Sequence, residues 1–147
     1  MTELNKRDVT RNQSTADYGQ KRIFLFNNRY QEGTFKNNTG AAYTLKPGTL
    51  VLRDTATPSQ IIPAVAGATL ANVIGIVKLD GEVAMATAET LDINFAISGD
   101  IDETHLELPA GVTLDTVPTD GSKTLRDILQ GLGFVLQGSV QNTKYDN

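Results

Sequence analysis

Residues 90–98, TLDINFAIS, alternate without a break. Leu91, Ile93, Phe95 and Ile97 fall on one face of an extended chain, and Asp92, Asn94, Ala96 and Ser98 on the other. A period of two is the pattern of a half-buried β-strand. The same rhythm returns in short segments between turn residues. Residues 21–26, KRIFLF, form the first apolar segment, and turn chemistry follows at Asn27-Asn28, at Gly33 and over 37–40. Pro47-Gly48 predicts a turn before a strand over 49–53. Pro63 places the strand of QIIPAVAG at an edge or a bulge, because proline cannot donate to a ladder. Asp80-Gly81, flanked by apolar residues 73–79 and by 82–87, predicts a hairpin with a type I′ turn. After Gly99 the acids Asp100, Asp102 and Glu103 read as a solvated turn, with a further strand over 104–108. LPAGVTLDTVPTDG reads as another turn and strand, and GFVLQGSVQ as the last strand.

One segment departs from this rhythm. SKTLRDILQGLG predicts a short helix, with Ser122 as N-cap, an apolar stripe of Leu125, Ile128 and Leu129, and Gly131 as its stop. Many short strands with frequent Gly and Pro turns and one helix near the C-terminus give an all-β fold, a small barrel or sandwich. Residues 1–20 are polar and without periodicity, and read as an extended, flexible N-terminal arm; residues 21–147 read as a single β-rich domain. The predicted core is Leu50, Leu52, Ile74, Ile76, Leu91, Ile93, Phe95, Ile97, Phe134 and Leu136.

Composition narrows the chemistry. The chain has no cysteine, which removes disulfides, thiolate metal sites and cysteine nucleophiles. Its one histidine, His105, limits metal and acid–base chemistry, and strand alternation predicts that it is exposed. No apolar run approaches the ~18 residues of a membrane span, and the polar N-terminus lacks the apolar core of a signal peptide. Seven Lys/Arg against four Asp/Glu in residues 1–36, and six against thirteen in 37–147, set a basic arm on an acidic body. An acidic body argues against nucleic acid as partner, because phosphate binding needs clustered positive charge.

The candidate motifs do not complete. The acids after Gly99 lack the spacing of a calcium loop, with glycine before them and Ile101 between. GSKT at 121–124 lacks the preceding glycine of a phosphate loop. No G-x-S-x-G supports a triad around His105. Asp54, Asp115 and Asp127 could pair with other carboxylates in space, as a glycosidase requires, but no sequence spacing brings them together. No catalytic, cofactor-binding or metal-binding residue is therefore assigned, and the expectation is a protein that is not an enzyme and needs no cofactor. Residues 63–75, PAVAGATLANVIG, carry no charge, which fits either buried core or an interface between chains. The interface reading places Val65, Ala66, Leu70 and Val73 there.

The series LKPGTLVLRD, then QIIPAVAGATLANVIGIVKLDGEVAMATAETLDINFAISGDID, resembles the capsid decoration (cement, or head-stabilising) proteins of tailed bacteriophages. The matching stretches are residues 47–53, 74–80 and 93–102, and LRDILQGLGFVLQG at 125–138 resembles the family's closing helix–strand unit. The resemblance covers roughly residues 41–140. It implies a β-tulip-like barrel, a homotrimer and a place on the outer surface of the virion capsid, with synthesis in the host bacterial cytoplasm. The implied partners are the major capsid protein and the chain itself, without nucleic acid or membrane. An arm that reaches neighbouring capsid subunits would use Lys6, Arg7, Val9, Arg11 and Tyr18. Two rival readings are a head-fibre or tail-associated module that binds carbohydrate or host surface, and a small hydrolase or nucleotide enzyme with a trimeric β-barrel.

Overall fold

The computed structural model describes residues 23–119 and 121–138. Among the described residues, eight strands and one α-helix are set in the order β1 (Phe24–Lys36), β2 (Tyr43–Leu45), β3 (Leu50–Arg53), β4 (Gln60–Pro63), β5 (Val73–Lys78), β6 (Val83–Met85), β7 (Thr90–Asp102), α1 (Leu125–Leu132) and β8 (Phe134–Gln137). Short 3-10 turns lie at Gly67–Asn72 and Glu103–His105. The main sheet runs β1-β4-β3-β5-β7-β8, and β7 also pairs with β1. That last pairing closes five strands into a barrel, so the fold is all-β with one helix near the C-terminus.

Phe35, Val51, Ile61, Val77, Ile93 and Phe95 fill the barrel, and Leu45 and Met85 from the β2–β6 ribbon pack with them. The Phe95 ring lies between two strand glycines. A Cβ on Gly33 would stand 2.9 Å from the ring, and one on Gly75 would stand 2.5 Å from both the ring and the Ala96 carbonyl oxygen. A second core lies outside the barrel wall, where Leu125 and Leu129 of α1, Phe134, Leu114 and Leu70 pack on Leu50, Leu52, Ile76 and Ala96. Six of the ten predicted core residues are buried; Ile74, Leu91, Ile97 and Leu136 pack at the margins of these clusters.

Several local expectations are corrected. Asp80-Gly81 makes no hairpin: β3 and β7 occupy both edges of β5, so β6 leaves to pair with β2, and Gly81 does not take the left-handed conformation. Asn27-Asn28 and Gly33 do not turn the chain. They lie within the 13-residue strand β1, where Asn27 at φ 59° and shifts in the β1–β7 register form a bulge. β7 runs on through Gly99 to Asp102, where a turn was expected, and residues 104–108 carry the 3-10 turn and a single bridge from Glu107 to Thr49 in place of a strand. No strand forms in the described part of 108–121. The helix is capped by Thr124, whose hydroxyl accepts from the Asp127 N–H at 3.2 Å, and stops at Gly133 at φ 109°; Ser122 and Gly131 do neither.

The other turn signals hold. Gly48 at φ 90° follows Pro47, and the Thr49 N–H donates to the Lys46 carbonyl. Pro63 marks neither an edge strand nor a bulge, since β4 lies between β1 and β3; it closes β4 beyond the two residues that β1 pairs, so its missing N–H leaves no β1 acceptor unmet.

Candidate interaction surface

The turn at residues 46–49 organises one side of the body. The Gly48 N–H donates to the Val77 carbonyl at 3.0 Å, and the Gly48 carbonyl accepts from the Glu107 N–H at 3.0 Å. A side chain at Gly48 would meet the His105 carbonyl at 2.9 Å, so the left-handed turn and the close approach both require glycine. This clamp puts Lys46 and Glu107 on the rims of two neighbouring hollows. One, of about 330 Å³, is lined by Ile23, Phe24, Pro47 and residues 79–82. The other, of about 470 Å³, is lined by residues that include Tyr43, Thr44, Thr49, Pro63, Val65, Leu108 and Pro109. Tyr43 stacks on Phe35 with ring centres 6.2 Å apart. Burial pushes its phenol pKa up, Glu107 adds to this, and a hydrogen bond with Thr49 opposes it.

The acids named from the sequence hold the chain together locally. Asp102, 5 % exposed, caps the turn after β7: one oxygen accepts from the Thr104 N–H at 3.0 Å and hydroxyl at 2.6 Å. Its other oxygen lies 3.6 Å from His105 Nε2. His105 is therefore a half-buried residue of a 3-10 turn, where an exposed strand residue was expected. Glu103 accepts from the Arg126 guanidinium, which also lies 3.6 Å from Asp115. Asp54 accepts from the Ala56 N–H, and Asp100 accepts from the side chain of Gln137. Asp127 lies in the first turn of α1. Among the described residues no three His, Cys, Asp or Glu side chains group as a metal site.

Of the residues expected at an oligomer interface, Val65 and Ala66 are exposed, whereas Leu70 and Val73 are buried in the chain's own outer core. The uncharged stretch thus divides between core and surface, because the 3-10 turn at Gly67–Asn72 points Leu70 inward. The arm residues Lys6, Arg7, Val9, Arg11 and Tyr18 lie outside the described residues.

Phe26 and Val135, with Val117 and Leu132, are exposed apolar residues that escaped the sequence reading. Phe26 is 56 % exposed and Val135 53 % exposed. Phe26 precedes the asparagines read as a turn, and Val135 stands between Phe134 and Leu136 in an apolar run that hides which member faces out. Nearby, Tyr30 meets Phe24 edge to face at 5.7 Å, and the Lys78 ammonium lies 5.0 Å from the Tyr30 ring centre. No protein-family model matches the chain, and no curated protein is significantly similar to it.

Proposed function

We propose that this chain is a capsid decoration protein of a tailed bacteriophage. It binds the outer surface of the head as a homotrimer, bridges neighbouring major capsid protein subunits and steadies the shell against the pressure of packaged DNA. The reading assigns it no catalytic step and no cofactor. The observation that supports it is spatial: the stretches at 47–53, 74–80 and 93–102 that carry the resemblance correspond to β3, β5 and β7, which lie side by side in one barrel wall. A resemblance built of separate short patterns gains weight when the patterns are structural neighbours.

The physics of attachment asks more of the arm than charge. Ordering some twenty residues costs about 1–2 kcal/mol of backbone entropy each, and ion pairs at a wet rim return about 0–1 kcal/mol each. Lys6, Arg7 and Arg11 cannot offset that alone. Val9 and Tyr18 must bury surface, or the arm must add a strand to a capsid sheet. Three arms on one trimer then engage at high effective concentration. The test is to mix the protein with undecorated, expanded heads. Saturable binding at a fixed copy number, weakened by removal of residues 1–20, is expected; absence of binding overturns the reading.

A second reading, a carbohydrate- or host-binding module, is favoured by one feature, the hollow that carries Tyr43 among threonine hydroxyls and Lys46. Chemical-shift changes confined to that hollow on addition of host-surface oligosaccharides would support it, and an unchanged spectrum would dismiss it.

A further inference from the structure

Where β1 and β7 run past the barrel they join β8 in a three-stranded sheet whose two edges are unpaired among the described residues. Among the described residues β8 pairs with β7 alone. The start of β1 also pairs only with β7, since β4 meets β1 at Thr34 and Phe35. Open edges expose unpaired N–H and C=O groups, which proteins commonly guard with lysine, proline or a bulge. β8 and the glycine after it read FVLQG, with no charge and no proline, and β8 follows β7 without a register shift. On β1 the register with β7 shifts on both sides of Phe26, which leaves Phe26 itself paired with Asp100 at a bulged edge and β8 as the unguarded one.

The two edges fit one another. β1 runs antiparallel to β7 and β8 parallel to it, so the edge strands run in opposite directions. Phe26 pairs with Asp100, and Asp100 with Val135, which puts all three in one row on one face of the sheet. Both ends of that row are apolar and more than half exposed.

We propose that β8 of one copy pairs antiparallel with the start of β1 in a second copy, bringing Val135 of one against Phe26 of the other. The contact is head to tail, the kind that closes into a ring when its rotation permits. It deepens the function proposed above and rests on that reading for the number three; the contact itself stands on the edges.

The chain has no cysteine, so Phe26→Cys and Val135→Cys each introduce a lone thiol. A mixture of the two full-length variants is expected to form a disulfide-linked pair on mild oxidation, while each alone stays unlinked. Sedimentation of the wild-type chain is expected to give three times the 15.8 kDa of one chain, and Val135→Lys to reduce it to one. A wild type that sediments as a single chain at tens of micromolar overturns the inference. So does an oligomer whose mixed cysteine variants fail to link, or whose single variants link to themselves. Should Val135→Lys lose its β-sheet circular dichroism, the cysteine pair decides. Linked trimers that ignore phage heads would sink the function alone, and single chains that bind heads would sink this contact alone.

Discussion

Phe95 and the two glycines beside it offer a sharp test of how the barrel is filled. The ring is 1 % exposed, and Phe95→Ala should cost about 3–5 kcal/mol, a large share of the ~5–15 kcal/mol that holds a domain together. Gly33→Ala places a methyl 2.9 Å from the ring edge, with no backbone atom among its close contacts and no left-handed φ to strain. Its cost in the wild type is one of overpacking, about 1–3 kcal/mol. With the ring removed by Phe95→Ala, that methyl enters empty space, and the change should become neutral or recover about 0.5–1 kcal/mol from the stiffer backbone. The double-mutant cycle should therefore show a coupling of about 1–4 kcal/mol. Gly75→Ala is the control. Its methyl meets the Ala96 carbonyl oxygen at 2.5 Å whether or not the ring is present, so it should destabilise both backgrounds. Urea unfolding followed by far-ultraviolet circular dichroism, with equal slopes across the set, measures all of these. If Gly33→Ala costs the same with and without the Phe95 ring, the glycine is not there to admit it and the account of the barrel interior fails.

Asn37, fully buried, donates to the Ala41 and Ala86 carbonyls at 2.7 and 3.0 Å and accepts from Thr39. Asn37→Ala should thus lower stability by about 2–4 kcal/mol in the same urea assay. Thr124→Ala should cost about 1 kcal/mol as the true helix cap, and Ser122→Ala should change the unfolding midpoint little. Alkaline stability should depend on Tyr43. Its folded pKa is raised above the ordinary value of 10.0, so its contribution is whole below that pH and is lost as pH rises through the raised value. Thermal melts between pH 8 and 12 should fall less steeply in Tyr43→Phe, with phenolate absorbance at 295 nm following the late-titrating tyrosine in the wild type.

Strand positions were legible where alternation was long. Leu91, Ile93, Phe95 and Ile97 share the face the sequence assigns them, and Leu50 and Leu52 do the same on β3. The misreadings cluster at residues whose local preference serves a tertiary need. Asn27 bends a strand without ending it, Gly33 clears room for a ring from another strand, and Asp80-Gly81 carries the chain from one sheet to the next. None of these roles has a local signature, because each is set by a partner far along the chain. The hollows were illegible for the same reason: residues 43–46, Pro63 and Glu107 come from separate segments, brought together by the clamp at Gly48, the bridge from Thr49 to Glu107 and the pairing of Val51 with Pro63. The excess of basic residues in 1–36 and of acidic residues in 37–147, by contrast, was plain from charge counts.

Barrel closure through β1 and β7 has a kinetic side. The strands that must meet first appear in the growing chain far apart, with over fifty residues between Lys36 and Thr90. At 5–20 residues per second, β1 waits about 3–10 s for its partner to be synthesised. Throughout that interval its apolar residues stand without their final neighbours. Arg29, Glu32, Lys36 and the kink at Asn27 make it a poor template for stray strands while it waits. Features that read as irregularities in the finished barrel thus act as safeguards during its birth.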